Sequence, residues 1–151
     1  MTAADGSGRT TPGDGVAARP TPAGDDGAPG RIEPRRVTKP WGAELIWAET
    51  DRYAGKVLTI EAGRRLSLQY HEHKDEAIFV LSGRLRLILS DAGGQLTTRE
   101  LGPGEAAHIE VGRTHRYEAI ERTELFEVSS PELDDVVRID DDFGREGTSA
   151  P

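Results

Sequence analysis

Four histidines occur among the 151 residues. His71, His73 and His115 fall in two short stretches bounded by glycine. In an extended strand, side chains alternate between faces. Over Leu66–His71 that places Ser67, Gln69 and His71 on one face and Leu66, Leu68 and Tyr70 on the other. The polar face cannot be a hydrophobic layer, so it looks into a polar cavity or into solvent. Gln69 offers an amide oxygen and His71 an imidazole, close enough to grip one ion. Glu76 begins the next strand after a tight connection and can bring a carboxylate alongside. Much later, Gly112-Arg-Thr leads to His115 and a second imidazole. Two nitrogen and two oxygen donors without sulfur suit one divalent metal ion: zinc, manganese, iron, nickel or cobalt.

Short strands must position these donors. Apolar segments run over Glu44–Ala48, Lys56–Ile60, Leu66–Tyr70, Ala77–Leu81, Leu85–Leu89, Leu96–Leu101, Ala106–Ile109, Arg116–Ile120 and Leu125–Val128. Between them lie Ala62-Gly63, Ser82-Gly83, Asp91-Ala92-Gly93-Gly94, Gly102-Pro103-Gly104 and Val111-Gly112. Many short strands with regular turn signals predict an all-β sandwich or barrel. Leu133–Ile139 reads as a last strand or a short helix. Residues Met1–Gly30 hold seven glycines, four prolines and no aromatic residue. Such a stretch cannot bury enough apolar surface to offset its ordering entropy. The expected organisation is therefore a disordered tail over 1–34, a barrel over 35–146 and a flexible end over 147–151.

Composition narrows the function. The net charge of −8 argues against nucleic-acid binding, which needs a basic face. No apolar run approaches the ~20 residues of a membrane span, and the start lacks the pattern of a secretory signal. Cysteine is absent, which excludes disulfides, thiolate metal sites and a cysteine nucleophile and fits a soluble cytoplasmic protein. From Glu121 to Pro151, ten acidic and three basic side chains form an acidic end, expected to be solvated surface.

The spacing resembles the cupin superfamily, a small double-stranded β-helix or jelly-roll barrel. Its first motif is matched by Gly63, Gln69, His71, Glu76 and Gly83, with Gln in the first ligand slot. Its second is matched by Gly104, Gly112 and His115, with Glu110 and Ala119 where the motif has proline and asparagine. The string Arg65-Leu-Ser-Leu-Gln-Tyr-His71 is similar to the C-terminal cupin domain of type II mannose-6-phosphate isomerases. So are Lys39-Pro-Trp-Gly42, Tyr53 with Lys56, Gly112-Arg-Thr-His-Arg116 and the run Asp135–Arg145. The likeness covers about Arg36–Arg145. It departs at His71-Glu72-His73 and Glu76-Ala77-Ile78, where the family has three histidines and Glu-His-Trp.

The resemblance implies a metal-dependent aldose–ketose isomerisation of a sugar or sugar phosphate. Gln69, His71, Glu76 and His115 would hold the metal, and Lys56 or His73 would move the proton. Arg65, Lys74, Arg113 and Arg116 would meet the substrate's anionic group. Lys74 stands where the family has arginine. Trp41 and Trp47 are expected as packing anchors and His108 as a barrel or surface residue. Two other readings stand beside it: a non-catalytic small-molecule-binding or accessory cupin, and a different metal-dependent cupin enzyme. Thr38–Trp47 is a candidate edge for pairing with a second copy in a homodimer.

Overall fold

The computed structural model describes residues 30–148. The expected tail therefore lies almost wholly outside the described residues, as do the last three positions. Ile32 onward forms one compact unit.

The described chain is built from strands: β1 Arg35–Lys39, β2 Gly42–Glu49, β3 Ala54–Ile60, β4 Leu68–Tyr70, β5 Glu76–Ser82 and β6 Leu85–Ser90, then β7 Leu96–Leu101, β8 Ala106–Ile109, β9 His115–Ala119, β10 Thr123–Ser129, β11 Val137–Asp140 and β12 Gly147–Thr148. All pairings are antiparallel. One sheet runs β1-β2-β3-β10-β5-β8 and the other β12-β11-β4-β9-β6-β7. Hairpin neighbours such as β2-β3 and β6-β7 alternate with pairs from distant parts of the sequence, β3-β10, β5-β10, β4-β9 and β4-β11, which brings β4, β5 and β9 together around one interior. Among the described residues no helix is long and apolar enough to cross a membrane.

Alternation decides what faces inward. On β3, β5, β9 and β10 every second residue is buried. Their inner positions supply Leu58, Ile60, Ile78, Val80, Tyr117, Ala119 and Leu125 to a core completed by Leu85, Leu87, Leu101, Ile109 and Trp41. Each such aliphatic side chain contributes about 1.5–3 kcal/mol when fully buried. Gly83 closes the β5–β6 turn with φ 82°. A Cβ there would lie 2.1 Å from the Arg122 carbonyl oxygen, so only glycine fits.

The structure corrects some local expectations. Leu66 does not join the outward face of Leu68 and Tyr70. It precedes β4 in irregular backbone and turns into the core. Leu133–Ile139 divides into a turn and β11, because the backbone closes tightly between Leu133 and Pro131 and between Val136 and Asp134. Gly147 and Thr148, expected in a flexible end, pair with β11. Thr38–Trp47 is not one edge: it bends at Pro40–Trp41, and β2 is covered on both sides, leaving β1 outermost. Trp41 packs in the core. Trp47, at a bulge in β2, lies over Gly55 and edge-on to Phe126 at 6.4 Å.

The acidic end is also more structural than expected. Asp140 pairs with Arg116 at 2.7 Å, Asp141 with Arg145 at 2.7 Å and Asp142 with Arg65 at 2.6 Å. Arg116 on β9 and Arg65, just before β4, thus hold β11 and the following turn against the sheet, while Arg145 closes that turn on Asp141.

Candidate metal centre

The register of the second sheet sets the site. Gln69 on β4 is directly opposite His115 on β9, and Arg138 on β11 is opposite Gln69. The three side chains therefore share one inward row. His71 follows β4 with the parity of Gln69, and Gly112 N–H donates to the His71 carbonyl at 2.8 Å. That bond ties the turn leading to His115 onto the strand leading to His71.

Glu76, at the start of β5, comes in from the opposite sheet. His71, Glu76 and His115 are each at most 3% exposed, and their ligand atoms all lie within 4.8 Å of one another. His115 Nε2 is 3.2 Å from Glu76 Oε1, and His71 Nε2 is 3.5 Å from Oε2. Both rings are oriented from behind. His71 Nδ1 bonds the Asp135 carbonyl, and His115 Nδ1 bonds the Arg113 carbonyl at 3.0 Å. A carbonyl can only accept, so each Nδ1 carries a proton, and in the neutral ring each Nε2 presents a lone pair. Neither Nε2 has a hydrogen-bond partner.

Buried lone pairs without donors are costly. Two such nitrogens and a carboxylate converging at about 3.2–3.5 Å fit a divalent cation bonded at roughly 2.0–2.2 Å. The donor set therefore suits a metal. Gln69 lines the same cavity, and its Oε1 accepts from Ser67 Oγ at 2.6 Å, leaving a second lone pair on that oxygen.

Glu76 is ionised despite its burial. Burial alone would raise its pKa. The Lys74 ammonium beside it holds it well below the usual carboxylate range. Lys74 Nζ sits 2.5 Å from Oε2 as an ion pair, without the alignment of a hydrogen bond. Burial likewise opposes the Lys74 charge, and Glu127 and Glu76 more than restore it, raising its pKa above the usual value. Tyr117 donates to Glu76 Oε1 at 2.8 Å. Burial, aided by Glu76 and Glu127, pushes the phenol well up and keeps it a donor.

A line of alternating charges runs outward from Glu76. Lys74 reaches Glu127 at 3.4 Å, Lys56 reaches Glu127 and Glu44 at 3.7 Å each, and Lys39 reaches Glu44 at 3.9 Å. It lies along a cavity of about 380 Å³ lined by His71, Gln69, Lys74, Lys56, Trp41 and Arg138, among others.

The expected site residues divide clearly. Gln69, His71, Lys74 and Lys56 line the cavity, and Glu76 and His115, though not in its lining, converge on His71. His73, Arg65, Arg113 and Arg116 are not among the residues lining this cavity. The side chain of His73 is 74% exposed, because its backbone is turned outward by Asp135. Arg116 follows His115 on a strand, so it faces the other way and binds the Leu66 carbonyl and Asp140. Arg113 folds back on Glu110 and the Ser90 carbonyl, and Arg65 is held by Asp142 and Glu118. His108 pairs with Asp75 at the surface.

Sequence reasoning did not place Glu44, Glu127, Asp135, Arg138 or Arg145 at the site. Glu127 carried a signal: it shares the inward parity of Leu125 on β10. The Asp135 carboxylate accepts from the backbone N–H groups of Glu72, His73 and Lys74 at 3.0, 2.6 and 2.7 Å. Burial opposes its charge, but these three donors lower its pKa on balance. It thus clamps the loop between His71 and Glu76.

The profile of the mannose-6-phosphate isomerase C-terminal family matches residues 31–141. The chain belongs to this family. It is 35% identical over 116 residues to the mannose-1-phosphate guanylyltransferase ManC of Salmonella typhimurium, covering 74% of this chain and 23% of that protein. It is 34% identical to the xanthan biosynthesis protein XanB of Xanthomonas campestris, covering 74% and 24%. The chain thus spans about a quarter of the length of these relatives. Among solved structures, KdgF from Halomonas sp. matches with TM-score 0.58 at 21% identity, over 68% of this chain and 91% of that one. Oxalate decarboxylase from Bacillus subtilis matches with TM-score 0.62 at 14% identity, over 71% and 30%. These likenesses show the cupin fold.

Proposed function

We propose that this cupin domain is a metal-dependent isomerase that interconverts an aldose and a ketose, as a free sugar or a sugar phosphate. The supporting observation is the pair of buried, partnerless Nε2 lone pairs facing an ionised Glu76 beside a polar cavity. His71, Glu76 and His115, with Gln69 beside them, would hold one divalent ion. Such an ion, when bound, stabilises negative charge on the carbonyl and hydroxyl oxygens of an enediol.

The chain's own residues supply the rest. A proton leaves one carbon and returns to its neighbour, so a group in the cavity must hold it in between. Lys56 is the candidate. It faces the cavity, and its carboxylate neighbours Glu44 and Glu127 can take the proton or steady the ammonium. Trp41 and Ile46 give the same cavity an apolar wall.

The test uses the full chain purified without chelator. Elemental mass spectrometry should find about one metal per chain, lost in the His71→Ala/His115→Ala variant. The metal-loaded protein should interconvert mannose 6-phosphate and fructose 6-phosphate, or the free hexoses, and Lys56→Met should lower kcat by about 100-fold or more without loss of metal. Full metal occupancy with no turnover of any of these sugars would overturn the isomerase reading.

One observation favours a second reading, a non-catalytic binding domain. Lys74 already places a cation on Glu76 at 2.5 Å. Tight sugar binding by metal-free protein, without turnover, would select it.

A further inference from the structure

The cations lining the cavity are not equivalent. Arg35 is paired with Glu49 at 3.1 Å and Arg145 with Asp141 at 2.7 Å. Lys39 and Lys56 share Glu44, and Lys74 lies between Glu76 and Glu127. Arg138 differs. Among the described residues no carboxylate lies within ion-pair distance of it, and its Nε is buried without a hydrogen-bond partner. Its neighbours aggravate this: burial opposes its charge and the Arg145 guanidinium repels it, so its pKa is lowered, with Asp141 and Glu44 only partly compensating.

A guanidinium holds five donors in a planar fork and cannot shed its charge by deprotonation at neutral pH. Its Nε is buried and unpartnered, while the half-buried group as a whole lines the cavity, where an anion can reach it. The fold holds it there, opposite Gln69 in the row that ends at His115. Two strand spacings, with β4 between, separate Arg138 from His115 by about 10 Å along one face.

We propose that Arg138, with Arg145 beside it, is the oxyanion subsite of this cavity and receives a phosphate or carboxylate attached to the sugar while the sugar's carbonyl end meets the His71–Glu76–His115 centre. This inference rests on the sugar-binding reading above. The subsite replaces Arg65, Arg113 and Arg116, whose donors are turned elsewhere. Arg138 supplies the two-pronged contact. Arg145, fixed at both Nε and Nη2 by Asp141 at 3.0 and 2.7 Å, adds positive potential from a rigid position.

Calorimetric titration of the full, metal-loaded chain tests this with mannose 6-phosphate, mannuronate, mannose and inorganic phosphate. Wild type should bind at least one of the two anionic sugars at least about 10-fold more tightly than mannose. Arg138→Gln should lose roughly 10- to 100-fold of that affinity and leave mannose binding and metal content unchanged. Preference for mannose 6-phosphate over mannuronate would name a phosphate seat, and the reverse a carboxylate seat. Arg138→Lys, which keeps charge and volume, should retain part of the affinity and serves if the glutamine variant does not fold. Equal binding of anionic and neutral sugars by wild type, or undiminished anion binding in both variants, would overturn the subsite. Anion binding through Arg138 without isomerisation would sink the isomerase reading and leave the subsite standing.

Discussion

The two ends of the interior are built from the same strands and have opposite chemistry. On β3, Lys56 faces the cavity, and two residues on Leu58 is core. On β5 the change is from Glu76 to Ile78, on β9 from His115 to Tyr117, and on β10 from Glu127 to Leu125. One step of the strand repeat separates an ion network from hydrocarbon. The apolar end can be held by burial alone. The charged end has to satisfy each ion with another, and nothing in chain folding requires ions there. The comparison teaches that one layer carries the burial that folds the chain, while the other holds a network of ions that burial does not account for.

The sharpest way to break this contrast is Lys74→Met. It leaves Glu76 and Glu127 buried without their shared cation, and removing one partner of a buried pair costs about 3–5 kcal/mol. Urea unfolding should show that loss in metal-free protein, and added divalent metal should restore part of it by giving Glu76 another partner. A change of the size seen at surface positions, with no effect of metal, would mean that the charged end is solvated rather than tightly paired. Leu125→Ala addresses the other end. Leu125 is 0% exposed, and its truncation should cost about 2–5 kcal/mol while metal stoichiometry stays near that of wild type. Loss of metal at equal cost would show that the two ends are one cooperative unit.

The smallest expected effect lies where the ends are joined to the loop. The Asp135 pKa is lowered in the folded state. A carboxylate of this kind contributes stability above its unfolded value of about 3.9, and that contribution is lost as pH falls below it toward the folded value. Asp135→Asn should cost about 1–2 kcal/mol at pH 6 and less near pH 3. Unfolding midpoints of the two proteins between pH 3 and 6 should therefore converge on acidification. Parallel curves would remove Asp135 from the role of clamp.

Much of this was legible in sequence. The strands β2 to β10 follow from alternating apolar residues and glycine punctuation, because a period of two leaves a direct trace. His71, Glu76 and His115 follow from motif spacing, since the turn glycines fix where each strand begins. The cationic residues were harder to place. Arg116 follows His115 on β9 and so faces the other way, and Arg113, in the turn before β9, folds back on Glu110 and the Ser90 carbonyl, so nearness along the chain gave the wrong side. Arg138 lies 69 positions beyond Gln69 and is beside it only because β11 pairs with β4. No local pattern encodes that pairing. Nor does the excess of acid after Glu121 show that Asp135, Asp140 and Asp142 each meet a donor from another part of the chain.

The Asp135 clamp has a consequence for the order of biosynthesis. A nascent chain that has reached Ser129 contains His71, Glu76 and His115 and every core residue of β3, β5, β9 and β10. It does not yet contain the carbonyl that orients the His71 ring or the carboxylate that gathers Glu72, His73 and Lys74. At that point the core strands are complete and the His115 ring already has its Arg113 carbonyl, but the His71 ring is aligned only by a residue made afterwards. A premature stop shortly before Asp135 would leave a product with every residue of the triad and the ring of His71 free to turn.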